Sequence, residues 1–498
     1  MEEYFLGIDI GTGSAKAVAY SIRFSPLEMA YKNYELKTNS LGYAEQDPEI
    51  IWIAVLDCIQ QIILKSGPKI RGIGLSSAMH SLMVVNDIGI PLSPLIIWAD
   101  RRSEDYAEAL RKSEIGESLY RETGTPIHSM SPLTKLMWMA EHQPDYLGIG
   151  HLFLSIKSFI WFKLFGVFEE DWSLASASGL MNIHEKKWSG LALGLAGIQS
   201  RQLPKLVSTT WTRKGTISKL ALAIGILPEI PITIGASDGC CSHLAGFPIH
   251  LGGASLTIGT SAAIRIHSPN PIFNYMGMIF NYILDENHWV IGGPVNNGGI
   301  ILNWAIEEFF KQEIQEKANY EAFFKTISNI NPGSEGLIFL PYLTGERSPI
   351  WDERSSGVFF GLKIHHHKEH MMRAVLEGIC FGINEVKKIL VENGFMISQI
   401  QVSGGFTESP IWVQILTDIL ESTLIQKQDL DSSTYGAALL SMKACGFIKS
   451  FEDIPNLEIL RTFHPNPENQ PIYHKMNQIF NQLYPRLSDL MHQISGLG

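Results

Sequence analysis

A glycine-rich turn near the start of the chain combines residue types that suit phosphate binding. Asp9 lies at the end of an apolar strand, the turn Gly11-Thr12-Gly13-Ser14 follows it, and Lys16 comes two residues later. Glycine lets a backbone approach phosphate oxygens closely, and successive N–H groups form an anion-binding nest. The turn hydroxyls and the Lys16 ammonium add further donors. Because Mg²⁺ binds carboxylate, water and phosphate oxygens, we expect Asp9 to hold this ion beside the phosphates.

A second turn of the same kind lies in the other half of the chain. Gly259-Thr260-Ser261 follows the strand Ala254–Ile258, as the first turn follows its own strand. One such turn is typical of a plain tight hairpin, but two that face each other could clasp one polyphosphate. Thr257 stands where the first copy has Asp9, so only the first half is predicted to position a metal. The chain contains no Gly-Lys pair and no GxGxxG, which excludes a P-loop and a dinucleotide fingerprint.

Glycines at the end of a later strand indicate where a nucleotide base would lie. Ser403-Gly404-Gly405-Phe406 ends a predicted strand, and its glycines would admit a flat adenine ring. The alternative, an ordinary strand-to-helix turn, stays open on these residues alone. Gly299 is assigned to the same nucleotide site, which the second half of the chain would supply.

Two echoes in the same order indicate that the chain is a duplicated α/β protein. Ile10–Ala15 is echoed in the other half by Ile258–Ala263. Ile70–Ser76 is echoed, more weakly, by Ile397–Ser403. Each echo falls at the end of an apolar strand, and amphipathic helical segments separate the strands, which is the alternation typical of α/β folds. A duplicated domain therefore explains both echoes.

Composition supports two domains and excludes several classes of protein. The chain has 498 residues, too many for one ordinary core, and we predict domains at residues 1–245 and 246–498. The net charge of −11 argues against a general nucleic-acid binder. No apolar run approaches the ~20 residues that cross a bilayer, and the N-terminus lacks a basic leader. Five scattered cysteines are typical of reduced thiols. We expect a cytoplasmic protein without membrane partners, and a homodimer is left open.

Two long segments, Met130–His142 and Gly357–Glu377, fit two patterns of one protein family at every specified position. Further matching segments are Trp98-Ala-Asp100-Arg-Arg102, Pro341–Arg347 and Tyr435-Gly-Ala-Ala. On these residues the chain resembles the FGGY carbohydrate kinases along nearly its whole length. The resemblance implies two actin-like, ribonuclease H-like ATPase domains with a catalytic cleft between them. It implies that the first domain binds the sugar and the second the nucleotide, with ATP as co-substrate and Mg²⁺ as cofactor.

By that resemblance, Asp238 in Gly235-Ala-Ser237-Asp238-Gly239 is expected to be the base that takes the proton of the substrate hydroxyl. Phosphoryl transfer otherwise needs mainly positioning, Mg²⁺ and charge neutralisation. Asp238 could instead simply cap a helix. The same segment also matches the nucleophile elbow of hydrolases, which would make Ser237 a nucleophile. A third alternative is an actin-like sugar sensor that transfers no phosphate, against which the pair Asp9 and Asp238 argues.

Within the family, Ser76–Ser81 and Gly124–His128 are most similar to gluconate kinases, which implies that D-gluconate is converted to 6-phospho-D-gluconate. Xylulose kinases resemble the chain as well and remain the alternative. Substrate carboxylate favours a cationic partner, for which Arg102 and Lys157 are both candidates. His80 is expected to bind substrate hydroxyls or carboxylate, and His128 is left unassigned. The expected substrate contacts are Met79, His80, Asp100, Arg102 and Asp238.

Overall fold

The structure, a computed structural model, describes residues 2–246, 253–310, 324–428 and 430–495. Most of the predicted domain boundary, at residues 247–252, lies outside this part of the chain. Two compact units are present, each built from segments distant in sequence. Unit 1 comprises Met1–Ile249, Ser268–Ile291 and Asp429–Asn456, and unit 2 comprises His250–His267, Gly292–Gln428 and Leu457–Gly498. Strands and helices alternate in both units, which confirms the predicted α/β class.

The strands and helices are numbered along the chain. The strands up to residue 237 are β1 (Tyr4–Ile10), β2 (Ser14–Ser21), β3 (Pro26–Asn33), β4 (Lys37–Thr38), β5 (Ala44–Gln46), β6 (Ile70–Ser77), β7 (Met83–Asn86), β8 (Leu95–Ile96), β9 (His151–Leu154), β10 (Glu169–Asp171), β11 (Met181–Asn182), β12 (Lys187–Trp188), β13 (Lys205–Val207), β14 (Thr212–Arg213) and β15 (Ile232–Ser237). The helices of this stretch and the one after it are α1 (Pro48–Ser66), α2 (Glu104–Lys112), α3 (Gly116–Thr123), α4 (Pro132–His142), α5 (Ile156–Phe165), α6 (Trp172–Ala177), α7 (Gly190–Ala196), α8 (Lys219–Ala223) and α9 (Asp238–Gly246).

The second half continues the same alternation. Its strands are β16 (Gly253–Ile258), β17 (Ala262–Ser268), β18 (Phe280–Ile283), β19 (Trp289–Val295), β20 (Ile338–Leu340), β21 (Val358–Phe360), β22 (Gln399–Ser403), β23 (Thr423–Lys427) and β24 (Ile459–Phe463). Its helices are α10 (Gly299–Phe310), α11 (Lys368–Glu392), α12 (Pro410–Leu420), α13 (Ser432–Ala444) and α14 (Gln470–Ser495). In the residues that the structure describes, no helix is both long enough and apolar enough to span a membrane.

Unit 1 contains a sheet with the strand order β14-β15-β6-β1-β2-β3. Strand β1 pairs parallel with β6 and antiparallel with β2. Helix α1 covers one face of this sheet, and the Asp47 carboxylate caps its first turn by accepting from the N–H groups of Glu49 and Ile50. The buried side chains of α1 recur at helical spacing and join the core formed by β1, namely Ile51, Val55, Cys58, Ile59 and Ile62.

The opposite face of β1 and β6 is lined by glycines, and helix α13 lies directly on it. A Cβ atom at Gly7 would be 1.8 Å from the carbonyl oxygen of Thr434, and one at Gly74 would be 1.9 Å from that of Ala437. A Cβ at Gly72 would be 2.7 Å from a helix side chain. Because side chains alternate along a strand, Gly7 shares its face with Asp9. We call Gly7, Gly72 and Gly74 the glycine face.

The two units repeat the same strand core in the same register. In unit 2, strands β17, β16, β22, β23 and β24 lie side by side in that order. Asp9 lies opposite Ser76 in the parallel pair β1 and β6, and Thr257 lies opposite Ser403 in the parallel pair β16 and β22. Each pair is joined through its side chains, at 2.8 Å for Asp9 and Ser76 and 3.0 Å for Thr257 and Ser403. The predicted duplication is therefore confirmed at the level of single residues.

The close approach of α13 predicts a large difference between two glycine substitutions. Gly74→Ala places a Cβ 1.9 Å from a helix carbonyl oxygen, so it should lower the free energy of unfolding by about 1–3 kcal/mol or more. Gly382→Ala is the matched control, since a Cβ there meets nothing within 4 Å inside helix α11. It should leave stability unchanged or raise it by up to about 1 kcal/mol. Thermal unfolding of both variants measures this, and equal stabilities would contradict the described packing.

Candidate active site

Three carboxylates converge in unit 1 at the end of strand β1. Asp9 is half-buried and accepts a hydrogen bond of 2.8 Å from the Ser76 hydroxyl. Burial, followed by the nearby charge of Asp238, raises the pKa of Asp9 from its ordinary 3.8 to about 7. Asp431 also contributes to the raised pKa, while the Ser76 hydrogen bond and the Lys16 ammonium act in the opposite direction. The arrangement concentrates negative charge where a cation would relieve it.

Asp431, which the sequence analysis did not select, reaches this site through helix α13. Its carboxylate caps the helix by accepting from the Thr434 N–H, and it forms an ion pair of 2.9 Å with Lys16. The glycine face sets this position, because Thr434 lies over Gly7 and the next residue on that face of β1 is Asp9. The sequence did carry a signal, an acid just before Ser432-Ser433-Thr434, but that pattern predicts only a helix cap.

The first glycine–threonine turn is a hairpin, as predicted. The Gly11 N–H donates to the Ser14 carbonyl at 3.0 Å, and β1 and β2 continue on either side. The Trp98 indole donates to the Thr12 hydroxyl at 2.9 Å, which leaves the hydroxyl proton of Thr12 to donate elsewhere. A Cβ at Gly13 would meet nothing within 4 Å. The backbone at Gly13 is therefore open to a ligand rather than packed against protein.

Asp238 is the first residue of helix α9, directly after strand β15. Its carboxylate accepts from the Gly239 N–H at 2.7 Å, and Ser242 of the same helix lies 2.7 Å from Ser432 at the start of α13. The neighbouring Ser237 is fully buried within the strand, and its hydroxyl accepts a hydrogen bond of 3.0 Å from Ser173. A nucleophile must reach its substrate, so this burial removes the hydrolase alternative.

His80, a predicted substrate contact, is held in a constrained geometry. Its backbone has a φ of +66°, a left-handed conformation that residues other than glycine seldom adopt. Its ring Nδ1 lies 2.8 Å from the Ala177 carbonyl oxygen, which can only accept, so Nδ1 carries the proton. Nε2 then lies 3.4 Å from the Tyr282 hydroxyl. The adjacent Met79 is partly exposed.

Arg102 and Asp100, also predicted to contact substrate, bind each other. The Arg102 guanidinium donates to both carboxylate oxygens of Asp100 at 2.8 Å and to Glu45 at 2.5 Å. Asp100 is fully buried and accepts a further bond from the Ala44 N–H. Arg102 also stacks on the Tyr43 ring at 3.9 Å. Two carboxylates therefore already neutralise the Arg102 charge. The sequence did not predict the pairing with Glu45, because Glu45 is distant along the chain.

Lys157, the other candidate cation, is likewise paired. It is fully buried, lies 2.7 Å from the Asp171 carboxylate, and donates to the Ala236 carbonyl at 2.8 Å. Ala236 precedes Asp238 by two residues, so Lys157 supports the strand end that carries this aspartate. His128 accepts a hydrogen bond from the Met130 N–H and shapes its own loop.

In unit 2, most of the residues assigned to nucleotide binding line one cavity of about 260 Å³. Its walls combine the second glycine–threonine turn, the start of α10 and the segment after β22. The predicted residues that line it are Gly259, Thr260, Gly299, Gly405 and Phe406. Ser261 and Gly404 belong to the same turns but do not line the cavity. Gly404 instead has a packing role, because a Cβ there would be 2.2 Å from the Ile258 carbonyl oxygen.

The second turn is anchored to helix α10. The Gly299 N–H donates to the Gly259 carbonyl at 2.8 Å, and the Ile300 N–H donates to the Thr260 carbonyl at 3.1 Å. The first N–H groups of the helix thus bind the carbonyl groups of the turn. The other side of the turn lines the cavity. Cβ atoms at Gly259 and Gly405 would meet nothing within 4 Å. These two glycines provide the close backbone access that a polyphosphate requires.

Comparison with protein families decides the identity of the fold. Residues 4–245 match the N-terminal domain, and residues 254–445 the C-terminal domain, of the FGGY family of carbohydrate kinases. The chain belongs to this family. The resemblance seen in the motifs therefore holds for both halves, and the chain is a carbohydrate kinase with the two-domain α/β fold of that family.

Individual relatives of this FGGY kinase cover nearly the whole chain. Gluconokinases of Bacillus subtilis (strain 168) and Bacillus licheniformis are 39% and 40% identical over 98% and 99% of the chain, and over 98% of their own length. A xylulose kinase of Lactococcus lactis subsp. lactis (strain IL1403) is 29% identical over 99% of the chain and 98% of its own. Two solved structures from Lactobacillus acidophilus, a gluconate kinase and a ligand-bound xylulose kinase, superpose with TM-scores of 0.93 and 0.92, each at 31% identity and 98% coverage of both chains.

The raised pKa of Asp9 predicts a pH-dependent stability of this kinase without added metal. Between pH 4 and 7 the folded state keeps the Asp9 proton that the unfolded chain releases, so stability falls as pH rises through this window. Asp9→Asn lacks this proton and should gain up to about 4 kcal/mol relative to wild type between pH 4 and pH 8. Thermal unfolding in chelator at several pH values measures this difference. Asp87→Asn, at an exposed site, is the control. If the stabilities of wild type and Asp9→Asn change in parallel with pH, the raised pKa of Asp9 is wrong.

The two kinds of glycine in unit 2 predict opposite effects of added methyl groups. Gly259→Ala should fold normally because its Cβ meets no protein atom within 4 Å, but it should weaken ATP binding roughly tenfold or more by narrowing the cavity. Gly404→Ala should lower thermal stability, since its Cβ would be 2.2 Å from a carbonyl oxygen and its φ is +104°. Calorimetric titration with ATP and a thermal melt separate the two effects. Wild-type ATP affinity in Gly259→Ala would exclude this turn from the nucleotide site.

Proposed function

We propose that this FGGY kinase transfers the γ-phosphoryl group of ATP to D-gluconate and forms 6-phospho-D-gluconate. The observation that carries the choice of substrate is the difference in identity, 39–40% to two gluconokinases against 29% to a xylulose kinase, over equal lengths. The solved structures do not separate the two substrates, since both neighbours are 31% identical. Xylulose therefore stays the alternative within the same chemistry.

Asp238 is the proposed base for the 6-hydroxyl of gluconate. Its position at a strand end, beside Asp9 and ahead of helix α9, supports this role, because phosphoryl transfer needs a proton acceptor next to the metal and phosphates. The Gly239 N–H and the α13 contact of the same helix fix where the carboxylate points. Asp238 is thus held in place by the start of its own helix.

Asp9 is the proposed ligand for Mg²⁺. The donor chemistry fits, because Asp9 is a half-buried carboxylate whose pKa is raised by desolvation and by neighbouring carboxylates, and a divalent cation would relieve that charge. In the described part of the chain, no set of three or more His, Cys, Asp or Glu residues is arranged to hold a metal ion. Mg²⁺ usually keeps waters and phosphate oxygens as its other ligands, so one or two carboxylates suffice. The ion would neutralise phosphate charge during transfer.

The proposed nucleotide site is the unit 2 cavity. Open glycines at Gly259 and Gly405 support close contact with phosphates, and Thr260 adds a hydroxyl donor. Phe406 and Trp412 give the same cavity aromatic walls, which suit a purine base. Gly11, Thr12, Gly13, Ser14 and Lys16 are proposed to contact the transferred phosphates from unit 1.

Recognition of the substrate is proposed to centre on His80. Nδ1 is committed to the Ala177 carbonyl, and Nε2 lies 3.4 Å from the Tyr282 hydroxyl, so on a neutral ring a sugar hydroxyl would compete with Tyr282 for the Nε2 acceptor. A protonated ring would instead donate a charge-assisted bond to carboxylate. Arg102 and Lys157 are already paired with Asp100 and Asp171, so their positive charges are balanced before a substrate carboxylate arrives. His80 is therefore the better candidate for the charged end of gluconate.

Several finer assignments remain predictions. They are the division into a sugar domain at residues 1–245 and a nucleotide domain at 246–498, the substrate roles of Met79, Asp100 and Arg102, the nucleotide roles of Ser261, Gly299 and Gly404, a cytoplasmic location and a homodimer. Arg102 and Asp100 are proposed to act by shaping the loop that carries them, since their charges satisfy each other. Gly299 and Gly404 are proposed to shape the nucleotide turns through the close contacts described above.

A substrate panel tests the proposed function. We expect ADP release that depends on gluconate, with a kcat/KM for gluconate at least about tenfold above that for xylulose, because a site built for a carboxylate leaves a polar partner unsatisfied with a ketose. Ribulose, rhamnulose and glycerol complete the panel, and a coupled ADP assay with mass detection of the product measures all five. Asp238→Asn is the matched control and should lose roughly 10²-fold or more in turnover while ATP binding persists.

Each outcome of this experiment has a distinct meaning. Preference for xylulose would overturn gluconate as substrate and leave the kinase intact. Near-normal turnover in Asp238→Asn would remove Asp238 as the base. ADP release that no sugar stimulates would contradict phosphoryl transfer to a carbohydrate under these conditions.

A further inference from the structure

Lys135 is a fully buried lysine in helix α4 whose charge is surrounded by backbone carbonyl groups. Its Nζ donates to the carbonyl oxygens of His80 at 2.7 Å, Ile97 at 2.8 Å and Met130 at 2.9 Å. An ammonium has three donors and no acceptor, so these three bonds use its full capacity. The Lys135 ammonium therefore joins three backbone segments through hydrogen bonds.

Each of the three carbonyls belongs to a different segment, and two of these segments carry residues proposed to act on substrate. His80 lies in the loop after β6, Ile97 precedes Trp98 and Asp100, and Met130 follows the loop that carries His128. These segments are far apart in the sequence. One side chain therefore sets the spacing between all three.

The backbone of His80 gives this contact a specific purpose. Its left-handed conformation, with a φ of +66°, is unfavourable for a residue with a side chain. The carbonyl that this conformation presents is the one that Lys135 contacts at 2.7 Å. Hydrogen bonds to a charged donor are stronger than neutral ones. The contact can therefore hold His80 in a conformation that the chain would otherwise leave.

The charge on Lys135 is costly, which argues against a passive role. Burial lowers the pKa of Lys135 to about 7, Asp100 acts in the opposite direction, and Arg102 lowers it further. A methionine would fill the same space without that cost. The three carbonyls supply the reason for a cation, because a neutral amine has one donor fewer than they require.

We infer that Lys135 is a positioning residue that orients the His80 loop for substrate by joining it to the loops before Trp98 and after His128. The inference rests on the proposed function for its effect on sugar binding, and on geometry alone for its effect on loop order. It predicts that loss of the ammonium loosens three separate segments together. A merely structural lysine would lower stability without this pattern.

Two readouts on Lys135→Met test the inference. Hydrogen exchange measured by mass spectrometry should become faster together in residues 76–84, 95–103 and 124–131, and little elsewhere in unit 1. The KM for gluconate should rise about tenfold or more, while the KM for ATP changes less than twofold. Ile62→Ala is the control, since Ile62 is a fully buried residue of α1 outside these loops. It should lower the melting temperature without changing either KM or the exchange of the three segments.

A second variant keeps the test decisive if Lys135→Met does not fold. Lys135→Gln retains two N–H donors, so it should fold and still raise the KM for gluconate severalfold. Wild-type exchange in the three segments and a wild-type KM in either variant would overturn the inference. If the wild-type enzyme does not use gluconate, the proposed function fails, and the exchange pattern still decides whether Lys135 orders the loops.

Discussion

The contact between helix α13 and the glycine face is the constraint on which the proposed active site depends. With any side chain at Gly7 or Gly74, the helix backbone could not lie against β1 and β6, because a Cβ would overlap a helix carbonyl. Gly436 in the helix repeats this logic, since its own Cβ would be 2.1 Å from the Cys241 carbonyl of α9. Three layers of backbone thus pack directly on one another. Asp9, Asp238 and Asp431 come together because each occupies an end of one of these layers.

This packing brings the carboxylates of Asp9, Asp238 and Asp431 close together, and their negative charges repel one another. Burial and Asp238 raise the pKa of Asp9 to about 7, which expresses the resistance of the site to another negative charge. The N-terminus of α13 partly offsets it, since a helix N-terminus favours anions by about 0.3–1 kcal/mol, and Lys16 pairs with Asp431. The repulsion that raises the pKa of Asp9 is the same interaction that the proposed Mg²⁺ would relieve.

How far the sequence predicts this molecule depends on whether a feature is local. The α/β alternation and the duplicated strand core follow from short patterns, and they are confirmed. The pairing of Arg102 with Glu45 and the arrival of Asp431 beside Lys16 depend on residues far apart in the chain, so no local pattern contains them. The sequence likewise does not show whether a glycine faces a ligand or packs against protein. Gly259 faces open space while Gly404 packs against Ile258, and only coordinates distinguish the two.

The sequence order of unit 1 also has a consequence for how the protein is made. The strands of the glycine face are synthesised within the first 77 residues, whereas α13 ends at Ala444. Domains generally fold as units, beginning from the N-terminus as the chain emerges. Here the first sheet must wait, with one face uncovered, until nearly nine-tenths of the chain has left the ribosome. The carboxylates at its edge stay unassembled for the same interval, so a nascent chain cut short before Asp431 would lack the completed acid cluster of unit 1.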